Sequence, residues 1–465
     1  MRRSWCWSVI ALSLMITDAA RAGPFEDALA AYKRKDYAPA FSLFRSLAEA
    51  GDPRAQDNLG VMYIKGDGVP QDYAEALKWF RRAAEQGNLH AQGNLGVVYS
   101  KGDGVPQDYA EAVKWYRRAA EQGDAHAQFN LGVRYDHGGG VAQDYAEALK
   151  WYRLAAARGN VSAHDNLGVM YANGHGVPQD FAEAATEFRF AAERGDSQAQ
   201  DNLAISYAAG HGVPQDEAEA VKWFELAAHQ GNAQAQYNLG VRYAQGEGVA
   251  QDYAEAIKYY RQAADQDYGE AENNLGAMYD SGLGVTQDEV VAVSWFRRAV
   301  LHKSVKAETN LGVMYANGKG VKQDFAEARK WFQQASDHGE VKAQHNLGAL
   351  YATGRGVPQS YAEAAKWYGL AAKRGDQAAG SILEKIRSVQ ARESSPSSRL
   401  EERGARVQVS SAPRQPLSRI EPTMFRVSSP VMEQRTVHIG PSPSAGFHAY
   451  FSAGTASARR TYRCS

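Results

Sequence analysis

Apolar and polar positions along the chain follow two helical patterns that return together every 36 residues. Ala-x-x-Asn-Leu recurs with Ala at 55, 91, 127, 163, 199, 235, 271, 307 and 343, without insertion. A fixed period of this length marks stacked supersecondary units. In the first copy Ala55, Leu59, Met62 and Tyr63 fall along one face of a predicted helix A. The turn Gly66-Asp67-Gly68-Val69-Pro70-Gln71 ends it, because its glycines accept positive φ and proline cannot continue a helix. Asp72 opens a helix B and has Glu75 at capping-box spacing, a pair kept in seven of the nine copies. Tyr73, Ala76, Leu77, Phe80, Ala83 and Ala84 form its apolar stripe, which Trp79 broadens. Gly87 supplies a left-handed stop, and Asn88 caps the next helix A.

Phe25 to Gly51 reads as an additional first copy with a shortened turn. Gln377 to about Arg392 reads as a last helix A, whose polar Glu384, Lys385 and Arg387 suit a cap with no neighbour to cover. The expected fold is all-α, an α-solenoid of helix-turn-helix repeats over residues 25–392. Two copies depart from the pattern. One has Ala185-Thr186-Glu187 where apolar-Lys-Trp is usual. The other has Val290, Val291 and Ser294 for Ala, Glu and Lys, between Asp267 and Lys303 at glycine positions.

The string Asn94-Leu95-Gly96-Val97-Val98-Tyr99 is followed by Gly102-Asp103-Gly104-Val105-Pro106-Gln107-Asp108 and by Lys114-Trp115-Tyr116-Arg117-Arg118-Ala119-Ala120. Together they resemble the Sel-one-like repeat family, relatives of tetratricopeptide repeats. The resemblance covers residues 25 to about 390. It implies a right-handed superhelix whose concave face, lined mainly by helix A, binds proteins or peptides in adaptor and signalling assemblies. A cysteine-rich subgroup is associated with penicillin binding and β-lactamase activity. The repeats here contain no cysteine, so a cell-wall or β-lactam hydrolase is the disfavoured alternative.

No catalytic constellation emerges from the residues, and the expectation is a protein that is not an enzyme and takes no cofactor or metal. The GxG turns lack the continuation of a phosphate loop. His175 and His211 share a loop position in adjacent copies, about 10 Å apart by helix packing and too far for one zinc ion; they read as solvated. Glu75 with Lys78 reads as an exposed helix pair. The recurring Asn58 either binds a peptide backbone or satisfies a neighbouring turn. Binding specificity is expected where the copies differ. The position before that Asn reads Asp57, Gly93, Phe129, Asp165, Asp201, Tyr237, Asn273, Thr309 and His345, and Arg134 and Arg242 stand out one turn on. Asp57, Phe129, Arg134, Asp165, Asp201, Tyr237, Arg242 and His345 are therefore the candidate partner-binding residues.

The ends of the chain set the context. Arg2, Arg3, an apolar run from Trp5 to Ile16 and Ala20-Arg21-Ala22 read as a signal peptide over residues 1–22. The run is shorter than the ~20 residues that span a bilayer. Cleavage near Ala22 predicts a periplasmic or secreted mature chain without a transmembrane segment, an uncleaved anchor being the alternative. Cleavage removes Cys6 and leaves Cys464, which is able to link two chains. Residues 393–465 are rich in Ser, Pro and Arg and read as a disordered tail. The net charge of −1 argues against nucleic acid as the partner. That average divides into +6 from Val389 onward, +2 in the leader and −9 in the repeats between them. Proteins or peptides in the cell envelope are the expected partners.

Overall fold

The computed structural model describes residues 23–393; the leader, the tail and Cys464, with the linked dimer expected there, lie outside them. Each 36-residue period becomes a helical pair. The first copy has helix A at Pro53–Lys65 and helix B at Tyr73–Glu85, the second Leu89–Lys101 and Tyr109–Glu121, and the ninth Val341–Thr353 and Tyr361–Lys373. The pair Pro24–Lys33 and Tyr37–Glu49 precedes them, joined by a short turn in which Lys35 is left-handed (φ 66°). Helix Gln377–Glu393 follows. The chain is an all-α solenoid, with no strand among the described residues.

Local chemistry places the boundaries. Asp72 Oδ1 accepts from the backbone N–H groups of Ala74 and Glu75, which opens helix B. The reciprocal half of the expected capping box is not formed. The Asp72 N–H already donates to the Tyr63 carbonyl, and the Glu75 carboxylate pairs with Lys78 at 2.5 Å. Gly66 closes helix A in the left-handed region at φ 73°. Gln71 Nε2 then donates to the Ile64 carbonyl at 2.6 Å, so the loop is fastened to the helix it follows. The same staple joins Gln107 to Ser100, Gln179 to Ala172 and Gln323 to Ala316.

Inside each pair the spacing is set by a glycine against a ring. A Cβ on Gly96 would lie 2.4 Å from the buried Tyr116 ring, and one on Gly132 would lie 2.7 Å from Tyr152. Ala55, Ala76 and Ala83 are fully buried and let the helices approach as closely as the rings allow.

The described residues divide into two units, one up to Gln215 and one from Asp216. The first unit begins on a cluster of Leu29, Phe44, Leu59 and Met62. The second ends where Ile382, Leu383 and Ile386 of the last helix cover Leu347, Leu350 and Tyr368, as a cap should. On either side of the two helices of the departing seventh copy, Asp267 (φ 64°) and Lys303 (φ 66°) take the left-handed conformation that glycine holds elsewhere. The helix stops survive the loss of glycine.

Candidate partner-binding surface

Helix A is buried over most of its length, with Ala55 through Met62 below the surface in the first copy. The eight residues named from the sequence follow it inward. Asp57, Phe129, Arg134, Asp165, Asp201 and Tyr237 are all buried. Arg242 and His345 keep only 14% and 12% of their side-chain surface. They are enclosed by packing within and between copies and do not line the open groove expected of them.

The contacts show how. Asn94 Nδ2 donates to Asp57 Oδ1 at 3.0 Å, Asn202 to Asp165 at 2.9 Å and Asn310 to Asn273 at 2.8 Å. The recurring Asn thus bonds the variable residue of the preceding copy, in a buried ladder. Phe129 lies against Tyr152 with ring centroids 5.8 Å apart, and Tyr237 sits between Tyr260 and Tyr268. Arg134 covers the Tyr109 ring at 4.6 Å. Arg242 pairs with Glu247 and with Glu217 at 3.5 Å. His345 Nδ1 meets Asp376 at 2.8 Å. His175 and His211, expected in solvent, stack on Tyr145 and Phe181 with centroids 4.4 Å and 4.5 Å apart.

Burial raises the Asp57 carboxyl to about 6, against the opposing effects of His90 and the Asn94 bond. It lifts Asp165 to about 8, with help from the neighbouring charge of Asp196 and against the Asn202 bond. Desolvation lowers Arg134 and raises the Tyr237 phenol well above its ordinary value.

A second ladder runs through glutamines. Gln56 and Gln92 donate to the Ala48 and Ala84 carbonyls at the preceding helix ends, and accept from Gln86 and Gln122 in the following helices B. In the seventh and eighth copies Glu272 and Glu308 replace this glutamine, and His302 and His338 face them at 2.7 Å and 3.1 Å. The ligand atoms of Asp267, Glu272 and His302 lie within 4.8 Å of one another, a donor set of the kind that holds a metal. Arg298 already occupies it as a cation. Its Nε lies 2.5 Å from Glu272, and its Nη2 faces Asp267 and donates to the Ala264 carbonyl that a glutamine would otherwise hold. The set reads as a closed ion-pair cluster.

A third ladder faces solvent, and sequence reasoning passed over it. Arg81, Arg117, Arg153 and Arg189 on successive helices B donate to the hydroxyls of Tyr99, Tyr135, Tyr171 and Tyr207 in the next helices A. The signal was present as Arg and Tyr separated by 18 residues, but the tyrosines read as core.

Stacked helical pairs joined by side-chain ladders define a repeat scaffold, in which the fold itself is the extended surface. The chain belongs to the Sel1 repeat family. The Sel1 repeat model matches residues 53–88, 89–124, 125–160, 161–196, 197–232, 233–268, 269–303, 305–340 and 341–376. Such scaffolds are typical of protein–protein interaction. A protective antigen present in uropathogenic Escherichia coli strains, displaying an SLR fold, is similar at 34% identity and a TM-score of 0.67, over 84% of this chain and 88% of that one. A Sel1 repeat protein from Oxalobacter formigenes is similar at 36% identity and a TM-score of 0.50, over 52% of this chain and 97% of that one. No curated protein matches the chain. Among the described residues no helix is long and apolar enough to cross a membrane.

Proposed function

We propose that this chain is a non-catalytic scaffold, exported by its leader, which binds proteins or peptides in the cell envelope. The observation that carries the reading is where the buried polar groups go. Asp57, Asp165 and the seam glutamines are bonded to neighbouring copies, where they hold the stack together, and Glu272 is paired inside its own copy. The fold spends its internal chemistry on assembling a surface. Description of the Escherichia coli relative as a protective antigen supports an envelope or extracellular setting. Recognition in this reading falls to solvent-facing side chains along the seams, while the eight buried or half-buried positions fix the stack beneath them.

Crosslinking and affinity capture from fractionated cells, with intact and tail-deleted chains, test the reading. Recovery of the mature chain and a specific protein partner in the envelope fraction is expected. A cytoplasmic chain that retains its leader overturns the export half. Turnover of a chromogenic cephalosporin or of cell-wall fragments by the purified chain, abolished by a point substitution, overturns the non-catalytic half.

A further inference from the structure

The lysines and arginines on the outer faces of the helices B are treated differently by the fold. Lys78, Lys114 and Lys150 are each neutralised by the glutamate three residues before them, at 2.5, 2.8 and 3.0 Å. Arg81, Arg117, Arg153 and Arg189 are exposed, and their partners are neutral phenols. Glu85, Glu121 and Glu193 stand four residues beyond three of them, yet among the described residues none of the four arginines makes an ion pair. Three guanidinium groups also lie near the faces of the rings that hold them, Arg117 and Arg153 at 6.0 Å and Arg189 at 5.9 Å. Each is thereby ordered before any ligand arrives, and a guanidinium has further N–H groups to offer a carboxylate fork. The four seams are consecutive and lie within one unit. The row is interrupted beyond them, where Glu225 takes the arginine position, and the same bond returns at Arg261 with Tyr279 and Arg297 with Tyr315 in the second unit.

We infer that this arginine-tyrosine ladder is a docking line for an extended acidic peptide segment of a partner protein. The inference rests on the scaffold reading above and assigns it a surface and a chemistry. Equivalent positions in neighbouring copies are on the order of 10 Å apart by helix packing. An extended chain advances ~3.3 Å per residue, so a carboxylate at every third residue keeps step with the arginines. The tyrosine rings between them offer apolar edges to the intervening residues. Polyanions fit less well. Residues 23–215 carry a formal charge of −6, which opposes the dense phosphate charge of a nucleic acid but accepts sparse carboxylates set directly on arginines.

The test uses the full mature chain and a labelled twelve-residue peptide, four repeats of Glu-Gly-Ser, with four repeats of Gln-Gly-Ser and a twelve-nucleotide single-stranded DNA as comparison probes. Fluorescence anisotropy at low salt should show saturable binding of the Glu peptide alone. Arg117→Gln with Arg153→Gln should weaken it at least about tenfold, whereas Lys114→Gln with Lys150→Gln should leave it within about twofold, because those lysines are already neutralised. Tyr135→Phe with Tyr171→Phe retains every charge but releases the arginines, and should weaken binding by a smaller factor. Circular dichroism should be the same for all variants. The inference is overturned if the intact chain does not prefer the Glu peptide to the Gln peptide, if the arginine and lysine pairs cause equal losses, or if the DNA binds more tightly. Capture of an envelope partner that survives Arg117→Gln with Arg153→Gln also discards the ladder, while leaving the scaffold reading intact.

Discussion

Asp165 carries the clearest chemical signature of an individual side chain in the stack. Its carboxyl is buried, bonded to Asn202 and raised from 3.8 to about 8. The folded chain therefore keeps this proton to a higher pH than the unfolded chain does. The stabilising contribution of the neutral carboxyl is complete below the ordinary aspartate value and is lost as pH rises toward 8. Asp165→Asn preserves the seam bond, as Asn273 does with Asn310, and removes the titration. Its stabilising effect should be small near pH 4 and grow to the order of a few kcal/mol by pH 8, read from denaturation midpoints of both proteins across that range. Gly132 illustrates a steric limit. Ala204 occupies the matching position of the fifth copy, so a methyl group is accepted at one step of the stack. Gly132→Val places more carbon where the Tyr152 ring leaves 2.7 Å to an ideal Cβ. It should lose roughly 1–3 kcal/mol, seen as faster amide exchange in Ala125–His137 and Tyr145–Ala156.

Helix ends and helix faces differed in how far the sequence revealed them. The stops were legible because glycine, proline and aspartate act through their own backbones, and Gly66, Gly87 and Asp72 take the roles their chemistry dictates. The capping box was half legible, since no local pattern shows that the Tyr63 carbonyl takes the Asp72 N–H. The variable position misled for a physical reason. Variation from Asp57 to Phe129 to Tyr237 resembles drift on a tolerant surface, but the contact that Asp57 and Asp165 serve spans 37 residues, one period and one more, and was hidden until the helices were stacked. The last helix was recognisable as a cap, because its polar residues alternate with those now buried on Tyr368. The seventh copy offers a test of how a helix stops without glycine. Lys303 holds φ 66°, and Lys303→Gly should stabilise the chain by roughly 1 kcal/mol through relief of left-handed strain, net of unfolded-state entropy. A raised denaturation midpoint at unchanged slope is the expected reading.

Over the length of each unit, stability accumulates from neighbour to neighbour, as expected of a solenoid. The seams, however, are chemically distinct. Asn94 and Asn202 meet the carboxylates of Asp57 and Asp165 in the copy before, whereas Asn310 meets the amide of Asn273. The loop staple from Gln71 to Ile64, in contrast, stays within its own copy. These two kinds of bond divide inheritance between them. A duplicated stretch of 36 codons carries its own staple and folds its own hairpin wherever it lands, but its outward-facing partners suit only certain neighbours. Recombination between near-identical copies is thus filtered by chemistry at the junction: an exchange that places Asp165 where Asp57 stood is silent, while one that sets Phe129 against Asn94 leaves a buried amide facing a ring where a carboxylate belonged. The order of the copies is recorded in their edges.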